Sequence, residues 1–120
     1  MRPDTQRIED ILDAIGRACE YRRHLAAHDE QAGMAYDAIL RNLGVIGESA
    51  THLSASVTAE MDQPWASIRG LRNIVIHEYF AVDPGIVTDI LDSYLVPLAS
   101  SLTEYLAAHG VPGEPATESD

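Results

Sequence analysis

Apolar residues recur at intervals of three and four along most of the chain, and nowhere do they alternate with polar ones as a half-buried strand requires. Ile8, Ile11, Ile15 and Ala18 form a first stripe, joined on the adjoining side by Leu12 and Cys19, with Glu9, Asp10, Asp13, Arg17 and Glu20 opposite. This predicts a helix over residues 5–28. Asp29 is a suitable N-cap for a second helix over 30–54, in which Tyr36, Ile39, Leu43, Ile46, Ala50 and Leu53 step by threes and fours, the seam of near-antiparallel bundle packing. Gly44 and Gly47 each cost about 1 kcal/mol relative to Ala inside a helix, a loss that makes sense only if another backbone comes close. A polar connector over 54–63 leads to Asp62 and Pro64, which start a third helix over 64–79. Trp65, Ile68, Leu71, Ile74 and Val75 supply its core contacts, and Gly70 is expected to admit a neighbouring backbone. Asp83 and Pro84 open a fourth helix over 85–109, with Val87, Leu91, Tyr94, Leu98, Leu102 and Tyr105 as its seam and Pro97 expected to kink it.

The prediction is an all-α, up-down bundle of four main helices in one domain, residues 1–109, with room for one further short helix. The tail, 110–120, combines proline, glycine and acids with almost nothing to bury and is expected to be disordered. A chain of 120 residues supports one core. No apolar run approaches the ~18 residues that span a bilayer, and the first ten residues carry acids and no apolar stretch of a secretory signal. A cytoplasmic protein with no membrane association is expected. Cys19, the single cysteine, falls among helix-spaced apolar positions and reads as a small buried hydrophobe. His24 and His28 have the i, i+4 spacing of a metal pair but no third ligand, so they read as a solvated helix end. No metal and no cofactor are expected.

Charge restricts function. Nineteen acidic residues against eight basic ones give a net charge of −11, a field that repels nucleic acid at long range and confines any such contact to a local patch. The same acidic surface suits a partner with a basic face. All eight basic residues are arginine, the better bidentate phosphate ligand.

The candidate chemistry is concentrated in WASIRGLRNIVIHEYF, residues 65–80. On a helix Arg69, Asn73 and His77 fall on one line, with Arg72 about 100° to the side of Asn73. Two readings of these residues stay open. In one, His77 caps its helix, Arg72 pairs with an acid such as Glu78 or Glu48, and Tyr79 fills the core. In the other, a guanidinium and an imidazole converge on one phosphate. Glu48 reads either as a surface or interhelical partner, as does Arg41, or as a group that orients Arg72 or His77. Arg22 and Arg23 read as surface charges or as the lining of an RNA path.

The spacing of Arg72, His77 and Tyr79, with Asn73 directly after the arginine, resembles the R-x-x-x-x-H-x-Y signature of HEPN domains, and more narrowly of the HepT-like toxins of MntA/HepT toxin-antitoxin systems. Trp65, Ile68, Gly70 and Leu71 before it, Phe80, Val82 and Asp83 after it, and Arg41, Asn42, Ile46, Gly47, Glu48 and Ala50 upstream extend the likeness over residues 5–108. The resemblance implies a metal-independent RNA endonuclease acting on tRNA or mRNA, with Arg72 and His77 as catalytic pair and Asn73, Glu78, Arg69 and Glu48 in support. It implies a homodimer with a shared cleft, and an MntA-like nucleotidyltransferase antitoxin that transfers AMP to Tyr79. The alternative is a non-catalytic dimeric scaffold for that nucleotidyltransferase. The residue types suit cleavage. RNA cleavage without a metal needs a proton taken from a 2′-hydroxyl, charge stabilised on a pentacoordinate phosphorus, and a proton given to the departing 5′-oxygen. Histidine can move the protons, and arginine supplies a fixed forked cation.

Overall fold

The stripe formed by Ile8, Ile11, Ile15 and Ala18 is buried as a unit, each residue 4% exposed or less. In the computed structural model, which describes residues 2–25, 30–73 and 84–109, it lies on α1 (Asp4–Arg22). The expectations for His28, Asp29, Ile74, Val75, His77, Glu78, Tyr79, Phe80, Val82, Asp83 and the tail 110–120 lie outside the described residues. α2 (Glu30–Thr51) buries Ile39, Leu43, Ile46 and Ala50 completely. At about 1.5–3 kcal/mol for each fully buried aliphatic side chain, this seam outweighs the propensity cost of the three glycines in α2, Gly33, Gly44 and Gly47.

α1 and α2 run antiparallel. At one end, Ser54 just after α2 donates through its backbone N–H and hydroxyl to Asp4 at the start of α1. At the other, Gln31 Nε2 donates to His24 Nδ1 across 3.0 Å. α1 ends at Arg22, earlier than expected, because a tight turn closes on the Tyr21 carbonyl from the His24 N–H. The connector after α2 contains the short α3 (Ala55–Thr58). Trp65 begins α4 (Trp65–Arg69), and its indole N–H is shared between the carbonyls of Thr58 and Met61. That ties α4 to the preceding turn. α4 closes at Gly70, and residues 71–73 are again helical.

The last helical stretch comprises α5 (Pro84–Ile90), a π segment (Leu91–Leu95) and α6 (Val96–Ala108). Pro97 stands just after the π segment. Proline has no N–H and its ring crowds the carbonyl four residues back, here Ser93. A wider turn accommodates this, with the Val96 N–H bonded to the Leu91 carbonyl five residues earlier, and the helix continues. Arg22 at the end of α1 pairs with Asp92 in the π segment at 3.0 Å, while Tyr105 late in α6 lies within the field of Asp4 at the start of α1; His109 beyond α6 meets Glu60 in the connector after α3 at 3.1 Å. α6 therefore runs against α1, as an up-down bundle requires.

Val87, Leu91, Leu95, Leu98 and Leu102 complete the core with Trp65, Ile68 and Leu71. Among the described residues there is no strand, and no described helix is long and apolar enough to cross a membrane. Cys19 departs from expectation: it is exposed. It lies one position beyond the buried Ala18, and the stripe stops short of it.

Candidate functional site

The site begins with a missing side chain. A Cβ built on Gly47 would lie 2.5 Å from the Arg72 backbone nitrogen, 3.2 Å from its Cα and 3.1 Å from the Arg69 carbonyl. Glycine is the residue that lets α2 and the segment after α4 approach this closely. Ile46 and Ile68 are fully buried and Leu71 nearly so; their burial fixes the approach. Among the described residues, the atoms nearest to a Cβ built on Gly70 are the carbonyls of Ala66 and Ser67, in its own preceding turn.

This contact sets Arg72 beside Glu48. Arg72 Nη1 is 3.2 Å from Glu48 Oε1, and both side chains are about half exposed, at 51% and 48%. The other carboxylate oxygen accepts from His52 Nε2 at 2.9 Å, four residues on and just past the end of α2. Glu48 thus bridges a guanidinium and an imidazole. Its carboxyl is held below the ordinary value of 4.5, first by the hydrogen bond from His52 and then by the charge of Arg72, with a smaller contribution from Arg7. A half-exposed arginine braced by a fixed carboxylate keeps donors free for an external anion, and guanidinium geometry matches a phosphate.

The structure brings Arg72 and Glu48 together, and the ion pair expected from the local reading is present. Arg69 closes α4 with its carbonyl against Gly47. Asn73 is exposed and its backbone N–H bonds to the Gly70 carbonyl at 2.9 Å. Between Arg69 and Asn73, Gly70 keeps right-handed helical geometry (φ −67°, ψ −14°), with its N–H bonded to the Ala66 carbonyl four residues back. His77, Glu78 and Tyr79 lie outside the described residues. Arg41 is not the partner of Glu48; it lines a groove between α1 and α2 with Asp10, Asp13 and Arg17. Arg22 pairs with Asp92, and Arg23 is 3.9 Å from Glu20. His52 and Arg7 were not singled out from the sequence. The available signal for His52 was its i, i+4 spacing from Glu48; for Arg7, on a different helix, there was none.

Among the described residues no group of three or more His, Cys, Asp or Glu side chains is placed to hold a metal ion. His24 is engaged with Gln31 instead.

The family model described as "Ribonuclease HepT-like" matches residues 11–105. Similar proteins include "Putative RNase MJ1380" of Methanocaldococcus jannaschii, 30% identical over 76 residues, covering 62% of this chain and 70% of the relative. "Gamma-glutamylcyclotransferase and putative RNase MJ0434" of the same organism is 25% identical over 109 residues, 88% of this chain and 49% of that one. "Putative RNase TTE0752" of Caldanaerobacter subterraneus subsp. tengcongensis is 31% identical over 70 residues, 58% of this chain and 62% of that one. The match thus spans about half to seven-tenths of the length of these relatives. No solved structure matches it significantly. With an all-α bundle, an arginine braced at the start of the R-x-x-x-x-H-x-Y segment and a family match over most of its length, this chain belongs to the HepT-like ribonuclease family.

Proposed function

We propose that the protein is a metal-independent RNA endonuclease toxin of a type VII-like toxin-antitoxin pair. Membership of the HepT-like ribonuclease family carries the reading, and the bracing of Arg72 by Glu48 in a half-exposed position supports it. Arg72 grips the scissile phosphate and stabilises the charge that builds on it. His77 moves protons: the 2′-hydroxyl loses its proton, its oxygen attacks phosphorus to give a 2′,3′-cyclic phosphate, and the departing 5′-oxygen is protonated. One histidine of this motif per chain serves two proton transfers if two chains share the cleft, so the active form is a homodimer. Asn73, Arg69 and Glu78 support the pair. The substrate is tRNA or mRNA.

Neutralisation completes the reading. A nucleotidyltransferase antitoxin attaches AMP to the Tyr79 oxygen, with pyrophosphate released from ATP and the phenolic proton lost. A phosphodiester two residues from His77 then brings negative charge and bulk to the place of the substrate phosphate. The test is expression of the wild type, Arg72→Ala and His77→Ala in a host lacking the antitoxin. Growth arrest by the wild type alone supports the proposal, and equal toxicity of all three removes the catalytic pair. Purified protein is expected to cleave RNA in the presence of EDTA.

The net charge of −11 favours a second reading, a non-catalytic dimeric scaffold for the nucleotidyltransferase. It predicts no RNA turnover and complex formation that survives His77→Ala.

A further inference from the structure

Next to the Glu48 bridge, the start of α1 and the end of α2 enclose a pocket of about 250 Å³ lined by Arg2, Pro3, Asp4, Arg7, His52 and Ser54. Its charged groups are not equally available. Arg2 pairs with Asp10 at 2.6 Å. Asp4 gives both carboxylate oxygens to Ser54, one to the backbone N–H and one to the hydroxyl. Arg7 stands apart, because no ion pair among the described residues includes it and its Nε is buried with no hydrogen-bond partner. A buried donor left unpaired is costly; the charge of Arg7 reaches Glu48, but that carboxylate is already engaged by His52 and Arg72, which leaves the forked Arg7 cation for an incoming anion. His52 forms the opposite link. It lines this pocket and its Nε2 also bonds Glu48, whose second oxygen faces Arg72. One carboxylate is all that separates the pocket from the proposed scissile-phosphate grip.

We propose that Arg7 and His52 form a second phosphate subsite, which takes a flanking phosphodiester of the RNA whose scissile linkage lies at Arg72. The inference rests on the nuclease reading and deepens it. It also answers the charge problem: a chain of net charge −11 holds a polyanion by placing several cations along one short track. α1 contributes as well, since the positive end of its backbone dipole opens at Pro3 and Asp4 beside the same pocket.

The test is binding of a fluorescent 2′-O-methyl oligoribonucleotide, which cannot be cleaved, over a series of salt concentrations. Wild type, Arg7→Gln, His52→Gln and Arg17→Gln are compared, with circular dichroism of each. Arg17 is an exposed partner of Asp13 on α1 and controls for net charge. Arg7→Gln is expected to weaken binding roughly tenfold, as loss of one charge-assisted contact does. It should also lower the salt dependence of log K by about 0.7, the value for one phosphate on a single strand. His52→Gln, exposed and tolerant of substitution, is expected to weaken binding in the same direction and decides the matter if Arg7→Gln does not fold. Equal small effects of Arg7→Gln and Arg17→Gln in a wild type that binds and cleaves RNA overturn the subsite and leave the nuclease reading standing. A wild type that neither binds nor cleaves RNA overturns both. Inorganic phosphate is run separately: Arg7-dependent binding of phosphate without oligonucleotide binding identifies a small-anion site and overturns the RNA assignment.

Discussion

The Arg72 guanidinium and the Glu48 carboxylate stand 3.2 Å apart on segments joined through the Gly47 contact. Glu48 touches no substrate in the proposed reaction, so its role is to position Arg72. Arg72→Ala is expected to lower single-turnover RNA cleavage by about 10²–10³-fold, the range for losing one preorganised donor to a developing charge. Glu48→Ala is expected to cost less in the chemical step and more in KM, because Arg72 remains but is no longer held. Equal losses in the chemical step for both variants would show that Glu48 itself takes part.

The same bridge has a pH signature. The folded-state pKa of Glu48 is depressed by the His52 hydrogen bond first and by Arg72 second. Its contribution is therefore present above the ordinary value of 4.5 and lost as pH falls through the lower folded value. Carboxyl chemical shifts followed by NMR are expected to show Glu48 titrating below the ordinary glutamate value of 4.5. Arg72→Gln is expected to move that titration part of the way back up, and His52→Gln leaves it lower than Arg72→Gln does only if the glutamine side chain replaces the imidazole N–H.

Gly47→Ala is expected to destabilise the fold by about 1–3 kcal/mol in chemical denaturation, the cost of overpacking, because the added methyl meets backbone and no flexible side-chain end. Cleavage should fall with it as Arg72 is displaced. Gly16→Ala is the contrast. Gly16 lies inside α1 with nothing within 4 Å of an added Cβ, and alanine there is expected to stabilise by roughly 0.5–1 kcal/mol.

Trp65→Phe keeps an aromatic ring but removes the N–H shared by the Thr58 and Met61 carbonyls. A loss of about 0.5–1.5 kcal/mol, that of one hydrogen bond, is expected, because the Thr58 and Met61 carbonyls keep the backbone N–H groups of Met61 and Gln63 as donors. Denaturation midpoints at unchanged slope check it.

The bundle was legible because each of its seams repeats locally. Ile39, Leu43 and Ile46 announce a helix face from their own spacing, and all three are fully buried. Gly47 was legible as a close approach because a glycine in a helix needs a reason. What approaches it was not, since Arg69 and Arg72 are brought there by tertiary packing. Arg72 and Glu48 could be named as candidates, but Arg7 sits on α1, far away in sequence, and nothing in its local pattern separates it from the surface arginines. Pro97 was legible as an irregularity in the last helix, but the π segment just before it was not, since the register of backbone hydrogen bonds leaves no mark in the apolar spacing. Cys19 was assigned to the core by periodicity, although the buried stripe ends at Ala18. The reach of Glu48 toward His52 needed only the spacing of four, a signal present in the sequence.

The outward-facing thiol of Cys19 gives this protein a built-in attachment point. With one cysteine in the chain, and that one accessible, a maleimide dye goes to a single known place on α1 without any engineering. Mixing donor-labelled and acceptor-labelled molecules then reports by energy transfer whether two copies associate, and whether addition of a nucleotidyltransferase pulls them apart.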